Sequence, residues 1–451
     1  MVRNPRRVER RRPSTIRRTM TAIRIGLLGL GTVGAQVAER LDSASALITE
    51  RTGVPVELAR VLVRDPAKQR PYMPPPHVLT TDPDDILDDP SIGVVVEVMG
   101  GMEPARTYIE RAISARKAVV TANKEVMAHH GPELLELARE KCVDVYFEAA
   151  VGGGIPLIST FKIDLLANEI SRIEAVINGT TNFIIDRMAI DGQSFDEALA
   201  EAQRLGYAEA DPTYDVEAYD AAFKLTIMSS IAFRTRIDPA CVYREGIRAL
   251  DPVDFRYAAE LGYAIKLLAF ARVSDGHIEA HVHPTCIPQT HLLAAVHDAF
   301  NAVVIDGDLV GRVLLYGQGA GGRPTASAVV GDILDLVLSL RKGIDNRIAV
   351  DFSRQRPLLP MSDVRTAAYL RLHVADKPGV LADVTSILGS LDISISSIVQ
   401  KSLIVEHAAA ELVILTHPAR EEALQEARRR LSELPAVYAV PAFLRALPPD
   451  A

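Results

Sequence analysis

Apolar positions along the chain first gather in a short run, Ile23, Ile25, Leu27 and Leu28, which ends in Gly29-Leu30-Gly31-Thr32-Val33-Gly34. Further apolar runs follow at residues 56–63, 92–99, 118–122 and 143–147, with helical stretches such as 104–115 and 132–141 between them. Apolar strands that alternate with helices predict a parallel, doubly wound α/β sheet of the Rossmann type. After Val151 the pattern changes. The turn Gly152-Gly153-Gly154-Ile155-Pro156 leads into a long middle region of α+β character, to about residue 350, which holds a second glycine-rich turn before a helix at 316–327. The polar stretch 341–364, with Pro357 and Pro360, reads as a linker. Beyond it, Leu370, Leu372 and Val374 alternate with Arg371, His373 and Ala375, as on a half-buried strand. Asp376-Lys377-Pro378-Gly379 then opens a helix with Val380, Leu381, Val384, Ile387, Leu388 and Leu391 on one face. Strands at 393–399 and 411–416, a helix near 420–434 and a strand near 437–443 complete a self-contained β-α-β-β-α-β unit, the ferredoxin-like order. The expected organisation is an extension over 1–21 and domains over 22–150, 151–350 and 366–448, with 316–340 packing back on the first domain.

Composition changes this picture little. An apolar share of 48% over 451 residues suits several soluble cores. The three cysteines, Cys142, Cys241 and Cys286, lie far apart, as expected of reduced thiols in a cytoplasmic protein. No apolar run reaches membrane-spanning length, since Glu97 interrupts the longest candidate. Charge is more telling. Residues 1–20 hold eight arginines against Glu9, a local charge of +7 within a chain of net charge −8. That arm reads as a disordered extension, with Met20 a candidate alternative start; the acidic remainder opposes nucleic-acid binding.

The Gly29-x-Gly31-x-x-Gly34 motif follows a strand and opens a helix, the context in which backbone N–H groups meet a pyrophosphate. At the end of the second predicted strand, Arg64, with Lys68 a helical turn on, favours the 2′-phosphate of NADP, whereas Asp65 keeps NAD possible.

Residues 206–224, GYAEADPTYDVEAYDAAFK, hold the most concentrated chemistry. Asp220 and Lys224 stand four apart in a helical run, so acid and ammonium share a face. Alone, such a pair is an ordinary surface ion pair. Half buried among Glu209, Asp211, Asp215 and Glu217, the lysine becomes a candidate proton donor. The pair His281-x-His283 has no carboxylate or cysteine at partner spacing and is not read as a transition-metal site.

Taken together, the GLGTVG motif, TANK at 121–124, the 206–224 block and YGQGAGGRPTASAV at 316–329 resemble the homoserine dehydrogenases that carry a C-terminal ACT domain. The resemblance runs from about Ala22 to the end. One departure is Ala218, where the family usually has glycine. The resemblance implies interconversion of L-aspartate 4-semialdehyde and L-homoserine with a nicotinamide cofactor, on the route to threonine and methionine. It implies Lys224 and Lys124 as catalytic lysines, and Glu209, Asp215 and Asp220 as substrate ligands. It places Gly29, Leu30, Gly31, Thr32, Val33, Gly34, Arg64, Lys68, Lys124, Gly206, Gly319 and Gly321 around the cofactor. A monovalent cation, sodium, is implied at Glu148, Val151, Gly153 and Ile155. It further implies a homodimer or homotetramer and an L-threonine effector at Asp376 and Gly379. Rival readings are a non-catalytic amino-acid sensor and another Rossmann oxidoreductase acting on an amino acid. The first should have lost some of Lys124, Glu209, Asp220 and Lys224, and the second does not need the 206–224 block.

Overall fold

The computed structural model describes residues 22–344, 350–402 and 409–449; the arginine-rich extension lies outside the described residues. Six parallel strands, β1 (Ile23–Leu28), β2 (Val56–Leu62), β3 (Leu79–Thr80), β4 (Val94–Glu97), β5 (Ala118–Thr121) and β6 (Val145–Tyr146), lie in the order β3-β2-β1-β4-β5-β6. Both faces are covered, which is why β4 and β5 are buried at every position. The long first crossover contains two helices, Thr32–Ser43 and Ser45–Thr52. The helix anticipated from residue 132 begins already at Lys124, because Asn123 caps it there by accepting the Val126 N–H at 3.1 Å.

The middle domain is a mixed sheet of β7 (Ile170–Val176), β8 (Tyr243–Arg244), β9 (Tyr263–Ser274), β10 (His277–Pro288), β11 (Phe300–Gly307) and β12 (Gly311–Gln318). Its helix Tyr219–Ala232 is buried on nearly every side, with Asp220 and Lys224 as its charged residues. The last helix, Gly322–Lys342, returns to the first domain. Val329, Ile333, Leu336 and Val337 share one core with Ile25, Leu27 and Val37.

The C-terminal domain adds β13 (Arg365–Ala375), β14 (Ile395–Ser402), β15 (Ala409–Thr416), β16 (Ala419–Arg420) and β17 (Val437–Ala446), with helices Val380–Ser390 and Glu421–Ser432. The order β17-β13-β15-β14 is the ferredoxin-like one. Two expectations are corrected here. The unit has its own core around Leu372, Val384, Leu412 and Leu424, yet it is not self-contained. Strand β17 pairs in parallel with β10 (Thr285 with Arg445, Cys286 with Ala446), so the two sheets run on as one. Buried Arg371 also reaches across to Asp254 on the helix Pro252–Glu260, at 2.7 and 3.0 Å. Nor is the supposed linker merely a spacer. Ile278 exchanges backbone hydrogen bonds with Pro357 and Leu359, and Arg354 clamps Glu169 through two 2.6 Å bonds. A polar, proline-bearing segment looks like a loop in sequence, but its carbonyls and amides complete a strand edge.

Candidate active site

The first glycine turn has the form a dinucleotide needs. A Cβ on Gly34 would lie 2.2 Å from the Gly29 carbonyl oxygen, so only glycine lets the helix start this close to β1. A Cβ on Gly31 would meet nothing within 4 Å, which leaves open space where a phosphate approaches the helix N-terminus. Leu30, Thr32 and Val33 complete this turn and the first residues of the helix. The second glycine turn comes up beside it, since a Cβ on Gly322 would lie 3.0 Å from Thr32 Cγ2. Neither helix, Thr32–Ser43 nor Gly322–Lys342, has a side-chain cap. Two helix N-termini with unsatisfied N–H groups therefore meet at one spot.

The glycines anticipated to face a cofactor separate in role. Gly321, with φ +114°, ends the turn before the helix, and Gly206 is the left-handed end of helix Phe195–Leu205. Gly319 is glycine for a packing reason: a Cβ there would fall 1.8 Å from Asn301 Nδ2. Arg64 is exposed just past β2, whose Leu62 carbonyl accepts the Gly29 N–H, so it stands beside the turn. Lys68 is not a helical turn on. Residues 64–70 form turns, in which Asp65 Oδ1 accepts the Ala67 N–H at 2.8 Å.

Four of the five residues anticipated for chemistry come together at the end of β5 and the start of helix Tyr219–Ala232. At the end of β4, buried Glu97 accepts a 2.6 Å hydrogen bond from Thr121, and Asn123 bonds the Gly101 carbonyl. These contacts fix the start of the helix on which Lys124 is the first residue. A lysine there opposes the helix dipole. Asp220 offsets it: Lys124 Nζ forms an ion pair with Asp220 Oδ1, and Lys224 Nζ meets Oδ2 at 2.8 Å. Lys224 also donates to the Ile177 carbonyl at 2.9 Å, an oxygen shared with Asn301 Nδ2. Burial pushes Asp220 toward its neutral form, but the two ammoniums outweigh it and hold the carboxyl well below its ordinary range. The Asp220 charge, against the opposing effect of burial, raises Lys124. Asp215 is shifted the other way, upward, by burial and by the neighbouring Asp220 charge. Glu209 is exposed on the loop beyond Gly206 and adds only longer-range charge near Lys124.

Sequence reasoning missed Asn178, which donates through Nδ2 to Asp215 at 2.6 Å and to Asp220 at 2.8 Å. It also missed Gly100 and Gly101, both at positive φ where the chain leaves β4. Asn178-Gly179-Thr180-Thr181 has the form of a helix N-cap, and that was the available signal. Ala218 is equally informative: it holds φ +62° as the residue before the helix, the left-handed conformation that glycine adopts freely.

Glu148 is engaged by protein. Its carboxylate accepts the N–H groups of Leu157, Ile158 and Ser159 at 2.6, 2.8 and 2.7 Å. Any cation at this turn would therefore be held by backbone carbonyls of residues 148–155. The turn bears on the second glycine loop, with the Gly154 N–H bonded to the Gln318 carbonyl at 3.1 Å. Among the described residues no group of three or more His, Cys, Asp or Glu side chains could hold a metal ion. His281 and His283 stack inside the sheet at 4.6 Å, and the carboxylate overlooked in sequence, Glu279, bonds His281 at 3.0 Å.

The comparisons agree with this geometry. Residues 29–148 match the model of the homoserine dehydrogenase NAD binding domain, 156–334 that of homoserine dehydrogenase, and 368–436 that of the ACT domain. The homoserine dehydrogenase of Pseudomonas aeruginosa is 43% identical over 93% of this chain and 97% of its own, and that of Synechocystis 42% over 94% and 99%. A crystal structure of a homoserine dehydrogenase from Thiobacillus denitrificans superposes with a TM-score of 0.88 at 45% identity, covering 95% of this chain and 98% of its own. A hyperthermophilic archaeal homoserine dehydrogenase in complex with NADPH covers 71% of this chain and 98% of its own, with a TM-score of 0.59 at 30% identity. With a dinucleotide cradle and a paired-lysine site in a chain matched over almost its whole length, the protein belongs to the homoserine dehydrogenase family, oxidoreductases that act on a CH–OH group.

Proposed function

We propose that Lys224 moves the proton in the interconversion of L-homoserine and L-aspartate 4-semialdehyde. The observation that carries this is the hydrogen-bond count at Nζ. An ammonium has three donors; Asp220 and Ile177 take two, which leaves one for a substrate oxygen. When bound at the glycine turns, the nicotinamide cofactor supplies the hydride acceptor. In oxidation the carbinol carbon gives up a hydride while its hydroxyl proton passes to Lys224 in its neutral amine form, which becomes the ammonium. In reduction Lys224 returns that proton to the carbonyl oxygen as negative charge develops there. Asp220 holds both lysines in place. Lys124, on the nicotinamide side, shares the proton traffic. Asp215 and Glu209 meet the substrate ammonium as carboxylates.

Arg64 beside the first glycine turn supports NADP as the preferred cofactor, through pairing of guanidinium with a 2′-phosphate. The NADPH complex of the archaeal relative is consistent with that choice. A sodium ion held by carbonyls at Glu148, Val151, Gly153 and Ile155 would stiffen the turn that carries the second glycine loop. The remaining parts of the reading are a place in threonine and methionine synthesis, a cytoplasmic setting, a homodimer or homotetramer, and threonine at Asp376 and Gly379 as an inhibitor. Among the described residues no helix is long and apolar enough to cross a membrane. Homoserine-dependent formation of NADPH, followed with and without sodium, tests the reading. Absence of turnover with either NADP or NAD would contradict it.

A further inference from the structure

Asn178 does more than cap a helix. Its Oδ1 accepts the Thr181 N–H at 2.8 Å, and the Thr181 hydroxyl donates to the same atom at 2.9 Å. Its Nδ2 is then free to turn both hydrogens on two different carboxylates, Asp215 Oδ1 at 2.6 Å and Asp220 Oδ2 at 2.8 Å. Asn178 is buried and its amide is fixed from the other side by Thr181, so it cannot rotate to favour one acid. Asp220 Oδ2 is the same oxygen that meets Lys224. We infer that Asn178 is a positioning residue that keeps two neighbouring carboxylates apart and so fixes the register between Lys224 and the substrate-facing acid. The inference rests on the proposed role of Lys224.

The chemistry requires a neutral double donor at this point. Asp220 is already saturated with positive partners, Lys124 and Lys224, whereas Asp215 has no lysine of its own at bonding distance among the described residues. Without a donor between them the two acids repel, and one takes up a proton. An asparagine amide supplies two N–H groups and no charge, so Asp215 stays available to a substrate ammonium. The charged groups around this point are Lys124 from the helix Lys124–Lys141, Lys224 and Asp220 from the helix Tyr219–Ala232, Asp215 from the short helix Thr213–Val216 before it, and Glu209 from the loop beyond Gly206.

Two variants separate positioning from capping, because Asp, Ser and Asn are comparable N-caps. In Asn178→Ser both amide donors are lost, and homoserine kcat/KM should fall about ten- to hundredfold, as for hydrogen bonds to charged groups. Most of that loss should appear in the homoserine KM, with NADP binding unchanged. In Asn178→Asp a new carboxylate meets Asp215 and Asp220, the acid that pairs with both lysines, and the pH limb of homoserine oxidation should move upward by about one unit or more, because the added negative charge favours the ammonium. Thermal unfolding and NADP binding confirm that both variants fold. If both variants keep kcat/KM within about twofold and the pH limb does not move, Asn178 only caps the helix and the inference fails. A wild-type chain inert toward homoserine would instead overturn the underlying reading, and this inference with it.

Discussion

Replacing Asp220 by asparagine removes one charge from the middle of the site with almost no change of shape. In the structure this carboxylate is buried and is held by Lys124, Lys224 at 2.8 Å and Asn178 at 2.8 Å. The side chain of Lys124 is 42% exposed and can turn its ammonium to water, whereas that of Lys224 is 9% exposed and cannot. The loss therefore falls chiefly on one buried pair, whose disruption costs roughly 3–5 kcal/mol; the low end, about 3 kcal/mol, is expected here. The pH dependence follows from the depressed carboxyl. Its stabilising contribution is complete above the unfolded value near 3.9 and is lost as pH falls toward the folded one. At pH 3 the gap between wild type and Asp220→Asn should be about 1.3 kcal/mol smaller than at pH 7. The assay is urea unfolding at both pH values, read by far-UV circular dichroism because the chain has no tryptophan. Equal gaps at pH 3 and pH 7, or a variant as stable as wild type, would refute the claim that an ionised Asp220 organises the lysines.

Arg64→Ala should weaken NADP binding and spare NAD, by the roughly 1.5–3 kcal/mol of a hydrogen bond to a charged group; equal NADP affinity in titrations would place the 2′-phosphate elsewhere. Arg371→Leu should cost about 3–5 kcal/mol in thermal unfolding, because buried Asp254 and Glu411 lose their shared cation; a change under about 1 kcal/mol would show these acids to be satisfied without it. Millimolar threonine should lower the activity of the full chain, and Asp376→Ala should abolish that response while keeping the basal rate. A wild type that never responds would remove the sensor role from the C-terminal domain.

Much of this molecule is readable from local pattern. Strand runs that are buried on both faces, as β4 and β5 are, carry no alternation to confuse, and the glycine spacing at 29–34 names its own turn. The Asp220–Lys224 face followed from helical spacing alone. What escaped was set by contacts distant in sequence. Asn178 lies 37 positions before Asp215, and no periodicity links an N-cap to a carboxylate across the site. Gly319 has a packing requirement that the sequence does not show: its missing side chain makes room for Asn301. The pairing of β17 with β10 depends on two residue pairs, too few to leave a signature. Ala218 carries a conformational demand that its residue type conceals: only the family's usual glycine, set against φ +62°, reveals it.

The central claim is that Lys224 is the proton-carrying group. Its most direct test compares the turnover number for homoserine-dependent NADPH formation in wild type and Lys224→Met, with NADP affinity measured alongside. The unbranched apolar side chain of methionine, one heavy atom shorter than lysine, fills most of the space, so loss of packing contributes little. The account predicts a fall in kcat of about a hundredfold to ten-thousandfold with cofactor binding nearly intact. A variant that keeps more than about half the wild-type rate, where loss of a general acid should cost far more, would contradict it.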